Sequence, residues 1–128
     1  PTSIAQYAAI EALTGPQDTV RQMVSEFVKR RDYLVERLRA LPGIECDVPE
    51  GAFYVFPKVS SALGKSYNGR AIADSMALCQ LLLDEAHVSV VPGSAFGAEG
   101  YVRISYATSM ANLEKGMDRI ERVWRALV

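Results

Sequence analysis

Residues 101–120 read YVRISYATSMANLEKGMDRI, and the two halves of this stretch follow different periods. From Tyr101 to Tyr106 the side chains alternate, with Val102, Ile104 and Tyr106 on one face and Tyr101, Arg103 and Ser105 on the other. A period of two with one apolar face is that of a half-covered strand. Thr108 or Ser109 can then cap a helix, along which Leu113, Met117, Ile120, Trp124 and Leu127 recur at helical spacing. A one-faced strand followed at once by a one-faced helix predicts two layers, sheet against helix.

Upstream the same two kinds of element recur. Pro92–Gly100 holds three glycines and reads as a loop, and Val88–Val91 before it as a strand. Ala71–Ala86 is expected to be helical, with Ile72, Met76, Cys79, Leu83 and Ala86 on one face. Ser60–Gly69 is small and polar and reads as a surface loop. Ile44–Val48 and Ala52–Pro57 are strand candidates joined by the turn composition Pro49-Glu50-Gly51. Before Pro42-Gly43, residues Val20, Val24, Phe27, Leu34, Leu38 and Leu41 step by three, four or seven. They predict a long helix over Gln17–Leu41 with one buried stripe. Thr2 and Ser3 precede a short alanine-rich helix, Ile4–Leu13, whose thin stripe of Ile4, Ala8 and Leu13 needs something outside this chain to pack on. The expected fold is α+β, in two layers: a small, mostly antiparallel sheet covered on one face by helices.

Composition narrows the function classes. The chain has 128 residues, enough for one core, and is 49% hydrophobic and 23% charged. With 14 Lys+Arg against 15 Asp+Glu there is no basic excess to neutralise phosphates, which argues against nucleic acid. No apolar run is long enough to span a bilayer. No basic-then-apolar segment opens the chain, so the expected compartment is the cytoplasm. Cys46 and Cys79 lack metal-ligand spacing and read as reduced, structural thiols, although one disulfide is arithmetically open.

Candidate chemistry is sparse. Arg103, in the middle of a strand, could hold a carboxylate in a two-pronged salt bridge; it could equally be a solvent-facing arginine on the open side of a sheet. Gly51-Ala52-Phe53-Tyr54 could present an aromatic wall, or Phe53 could be core. The loop Pro92–Gly97 could let a ligand approach the backbone, or simply connect. Lys29, Lys58, Lys65 and Lys115 all lie in polar surroundings, unlike the desolvated amine that Schiff-base chemistry requires. His87 reads as a helix-end surface histidine, and Asp84 and Glu85 as a solvated helix end. Taken by themselves, these residues make no complete active site.

Four segments, in order, resemble the class I aminotransferases, and among them the bacterial aspartate aminotransferase branch. They are PTSIAQYAAIEALTGPQ (1–17), LPGIECDVPEGAFYVFP (41–57), VSVVPGSAFGAEGYVRISYATS (88–109) and NLEKGMDRI (112–120). The resemblance implies the C-terminal small domain of an enzyme that uses pyridoxal 5'-phosphate to move amino groups between amino acids and 2-oxoacids. It implies that Arg103 grips the substrate α-carboxylate and that Phe53 lines the substrate site, with Tyr54 and the 92–97 loop behind them. It further implies that residues 1–41 contact a large domain and join it to the small-domain core, 42–128. The catalytic lysine and the cofactor-binding residues would belong to that large domain, absent here. This chain alone is therefore expected to bind no cofactor and to be inactive, and the parent enzyme to be a homodimer. The alternatives are a stand-alone small-molecule binding module built on Arg103, or an interaction domain docking through helix 4–13.

Overall fold

In the computed structural model, which describes residues 1–128, the alternating stretch becomes strand β5 (Val102–Ser105) and the periodic one helix α4 (Met110–Arg125). Ser109 caps α4, its side chain accepting from the Asn112 N–H at 3.2 Å. The other elements are α1 (Ser3–Thr14), α2 (Asp18–Arg39), β1 (Tyr54–Val55), β2 (Ser66–Tyr67), β3 (Arg70–Ala71), α3 (Ser75–Leu81) and β4 (Val91–Pro92). The expected α+β class holds. β5 is the central strand of an antiparallel three-stranded sheet in the order β1-β5-β4, with Tyr54 opposite Ser105 and Val91 opposite Arg103.

The strand alternation sorts residues as expected: Val102, Ile104 and Tyr106 are buried, whereas Arg103 is partly exposed and Ser105 exposed. Their buried face joins Leu34 and Leu38 of α2, Leu78 and Leu81 of α3, and Met117, Ile120 and Trp124 of α4 in one apolar cluster. Trp124 also donates its indole N–H to the Pro42 carbonyl at 3.0 Å, so its one polar atom is satisfied inside the core.

Several boundaries and faces differ from expectation. Ile44–Val48 forms no strand; only Glu45 bridges to Lys58, which itself bridges to Tyr101 on its other side. Pro49 follows, removing a backbone donor just where a ladder would continue. Ala52–Pro57 contracts to β1, its start cut off by Ala52, which adopts a left-handed backbone, φ 62°. Ser60–Gly69 is not a plain loop. It contains a 3₁₀ turn with Ala62 fully buried, then β2, which pairs with β3 across Asn68-Gly69. Both turn residues have positive φ, as a tight two-residue hairpin demands. The C-terminal Val128 pairs with Ser66 in both directions, at 2.7 and 3.1 Å.

Helix α3 starts at Ser75 rather than Ala71 because Asp74 caps it, accepting from the Ala77 N–H at 2.8 Å. Its inward row is Ser75, Leu78 and Leu82 with Cys79, Leu81 and Ala86 beside it. Met76 and Leu83 lie one residue off that row and are exposed, contrary to the expected face. The helix ends in a wider π turn, Leu82–Ala86, closed by His87 in the left-handed region. Val88–Val91 pairs only at its last residue, through β4.

The long stripe on α2 is split. Leu34, Val35 and Leu38, and Leu41 just beyond, are buried; Val20, Met23, Val24 and Val28 are exposed. The first half touches this chain's core only through half-buried Phe27, whose ring lies 6.1 Å from that of Tyr106. No residue of α1 is buried, and Leu13 is 83% exposed. No helix is long and apolar enough to cross a membrane.

Candidate functional site

The open face of the sheet carries what the covered face cannot. Tyr54 lies on β1 and Phe56 just beyond it, beside Arg103 of β5, while Phe96 lies on the 3₁₀ turn Gly93–Phe96 that follows β4. The Arg103 guanidinium carbon is 4.9 Å from the centroid of the Phe96 ring and 5.4 Å from that of Tyr54. Both distances lie within cation–π range. Phe56 stacks on Tyr101 at 5.3 Å, and meets Phe96 edge-on at 6.0 Å. Four aromatic rings thus form a patch around one arginine. Phe96 is 51% exposed and Tyr54 38%, so the patch is surface rather than core.

Charge pairing singles Arg103 out within the sheet. Arg21, Arg31, Arg37, Arg70 and Arg125 all hold carboxylates, and Lys29 and Lys58 do too; Arg103 forms no ion pair. Arg39 and Arg122 donate to backbone carbonyls instead, those of Cys46 and Glu85. Arg30 and Arg119 also pair with no carboxylate, but they lie on α2 and α4, away from the open sheet face. A planar guanidinium steadied by two rings keeps its N–H fork free. That fork matches a carboxylate, which a lysine ammonium cannot grip in two places.

Phe53 is 54% exposed and does not enter the core. Its ring meets Tyr54 edge-on at 6.1 Å, so it joins the patch through Tyr54, while Tyr54 and Phe96 themselves carry the guanidinium. The backbone here is pinned from β5. The Phe53 carbonyl accepts from the Tyr106 N–H at 2.8 Å and from Ser105 Oγ at 3.4 Å, and the Ala52 carbonyl from Tyr106 Oη at 3.1 Å. Burial pushes the Tyr106 phenol up, so it stays a protonated donor. These bonds hold Ala52 in a backbone region that costs a non-glycine residue about 1–3 kcal/mol.

Other chemistry is accounted for. Cys46 and Cys79 are free and buried; burial pushes the Cys79 thiol up to about 11, which makes it a poor nucleophile. No cluster of His, Cys, Asp and Glu could hold a metal ion. Lys29 pairs with Glu26 at 2.6 Å and Lys58 with Glu45 at 2.9 Å, while Lys65 and Lys115 are exposed. None sits in the desolvated setting that an imine-forming lysine needs. Phe96 and Phe56 were not singled out in the sequence. Phe56 sits two residues after Tyr54, and that spacing was the available signal; Phe96 lies on a loop, where no period operates.

The family described as "Aminotransferase class I and II" matches residues 2–120. An aspartate aminotransferase from Rhizobium meliloti is 48% identical over 121 residues, which is 94% of this chain and 30% of that protein. A probable aspartate/prephenate aminotransferase from Rickettsia felis is 51% identical over 95% of this chain and 30% of its own length. The crystal structure of an aspartate aminotransferase from Rhizobium meliloti superposes with a TM-score of 0.95 at 46% identity. It covers 100% of this chain and 32% of that one. An alanine aminotransferase from Pyrococcus furiosus gives 0.84 at 35% identity, over 98% of this chain and 30% of that one. The chain spans about 30% of the length of the curated relatives it matches. This chain belongs to the class I and II aminotransferase family.

Proposed function

We propose that this chain is the C-terminal small-domain portion of an aspartate-type aminotransferase, and that Arg103 takes the α-carboxylate of the amino acid or 2-oxoacid. The observation that carries the reading is a guanidinium without an internal carboxylate, held by Phe96 and Tyr54 on the open face of the sheet. Held there, Arg103 orients the substrate, and orientation decides which bond at the α-carbon is broken. Phe53 and Tyr54 supply the apolar wall that excludes water from the ion pair and so strengthens it.

Pyridoxal phosphate supplies the electron sink in such a reaction. The lysines of this chain do not fit it, so its binding is assigned to the part of the relatives' length that this chain does not span. Residues 1–41 are the segment that meets that part, and 42–128 the small-domain core. The exposed apolar side chains Ile4, Tyr7, Ile10 and Leu13 of α1, and Val20, Met23 and Val24 of α2, are the surface offered to it. The homodimer and the cytoplasmic setting go with this reading and rest on the family resemblance. The chain alone is expected not to transaminate.

The test joins this chain to the rest of the Rhizobium meliloti enzyme and measures amino transfer from L-aspartate to a 2-oxoacid. Arg103→Ala is expected to lower kcat/KM by roughly 30- to several thousand-fold, as truncating one partner of a buried charge pair does. Arg103→Lys should recover little of it, because an ammonium cannot form the fork. A folded Arg103→Ala chimera that transaminates as well as the unaltered chimera overturns the reading.

A further inference from the structure

An exposed ring on a loop holds its position only if the loop is held, and the loop carrying Phe96 is fastened in an unusual way. Glu99 Oε1 accepts from the Ser75 N–H at 2.7 Å and from the Gly100 N–H at 3.0 Å; Oε2 accepts from Ser75 Oγ at 3.1 Å. Ser75 is fully buried at the start of α3, and its hydroxyl also lies 3.3 Å from Ser94 Oγ, inside the 3₁₀ turn itself. Gly93 closes the same loop by hydrogen bonds to Tyr101 and Ala98, at 2.7 and 3.0 Å. A Cβ at Gly93 would come within 2.1 Å of the Ala98 carbonyl oxygen, so the backbone has no slack there.

We infer that Glu99 is a positioning residue for the Arg103 site: it ties the 93–100 loop to Ser75 and so sets Phe96 against the guanidinium. The inference deepens the carboxylate reading of Arg103 and rests on it. Glu99 is not a substitute cap for α3, since Asp74 already fills that role. Its backbone donors, Ser75 first and then Gly100, hold its carboxyl below the usual carboxylate range and keep it an acceptor at neutral pH.

The experiment is NMR of the 128-residue chain, reading the Arg103 Nε–Hε resonance, which the Phe96 and Tyr54 rings displace, with the KM for L-aspartate measured in the chimera. Glu99→Ala is expected to return that resonance toward its unstructured position and to raise the KM for aspartate in the chimera by about three- to tenfold, the scale of a cation–π contact. Glu99→Gln keeps an oxygen that accepts from both N–H groups, and should stay close to the unaltered chain in both readouts. A folded Glu99→Ala chain, judged by Trp124 fluorescence, with the Arg103 resonance unmoved overturns the inference. Should that variant fold poorly, Ser75→Ala removes only the hydroxyl arm, and the same displacement, smaller in size, decides. The carboxylate reading is decided separately by the Arg103→Ala chimera, so its failure and that of the Glu99 inference, which the ring-current comparison decides, are distinguishable.

Discussion

Helices α4 and α1 differ in their sequence signal, a full apolar stripe against a thin one, and differ more sharply in fate. α4 buries Leu113, Met117, Ile120, Val123 and Trp124, whereas α1 buries nothing and leaves Ile4 and Leu13 bare. Both begin on a hydroxyl cap, Ser109 in one and Thr2 in the other. Local chemistry therefore nucleates both, yet only α4 has a partner in this chain. α2 repeats the contrast within one helix, buried at Leu34, Val35 and Leu38 and bare at Val20, Met23, Val24 and Val28. An apolar stripe states that a face needs covering; what covers it is a separate question.

The largest expected effect falls on α4. Trp124→Ala removes a buried indole and its bond to Pro42, and should cost about 3–5 kcal/mol of unfolding free energy, read by urea titration. A loss below about 1 kcal/mol would mean that α4 is no better anchored than α1. Cap deletions sharpen the same contrast. Ser109→Ala should cost about 1 kcal/mol of global stability. Thr2→Ala should leave the global midpoint unchanged, because α1 opens without opening the core; amide exchange resolves the two.

Acid is the next lever, since the α2–α4 contact is charged at its rim. Glu121 is held below its ordinary value by its bonds to Arg125 and then Arg37, and Asp84 by its bonds to Arg70 and then Gln80. A folded-state pKa below the unfolded one stabilises fully above the unfolded value. That stabilisation is lost as pH falls through the folded value. The urea midpoint should therefore decline as pH drops below about 4.5, and Glu121→Gln should flatten the decline. The smallest stability effect belongs to α1. Ile10→Ser with Leu13→Ser should shift unfolding by less than about 0.5 kcal/mol. In the chimera described above, the same pair should impair assembly or activity. A marked loss of stability in the isolated chain would show that α1 packs on it after all.

Much of the fold was legible wherever one period ran uninterrupted. β5 and α4 emerged with their faces correct, and the cap narrowed to Thr108 or Ser109, because strand alternation and helical spacing there are unmixed. The misreadings cluster where a single residue overrides a period. Asp74 restarts the 71–86 segment as a helix from Ser75, and Asn68-Gly69 folds an apparent loop into a hairpin. Left-handed Ala52 cuts off the start of a six-residue strand candidate, which contracts to two. The site divides in the same way. Arg103 and its face were visible from alternation, and Phe53 and Tyr54 from their segment. Phe96 and the Glu99–Ser75 tie were not, for they depend on bonds between residues 19 to 24 positions apart, across a loop without any repeating pattern.

By itself the sequence determined the α+β class, the one-faced character of its strands and helices, and, through segments 41–57 and 88–109 taken together, its family. These are properties of short stretches, set by backbone periods and local hydrogen bonding. Tertiary structure alone decided which apolar faces find partners within the chain, and that the arginine on the open sheet face stays free of the chain's own carboxylates. Both depend on what lies across the fold, and burial and ion pairing are properties of pairs of residues rather than of either one.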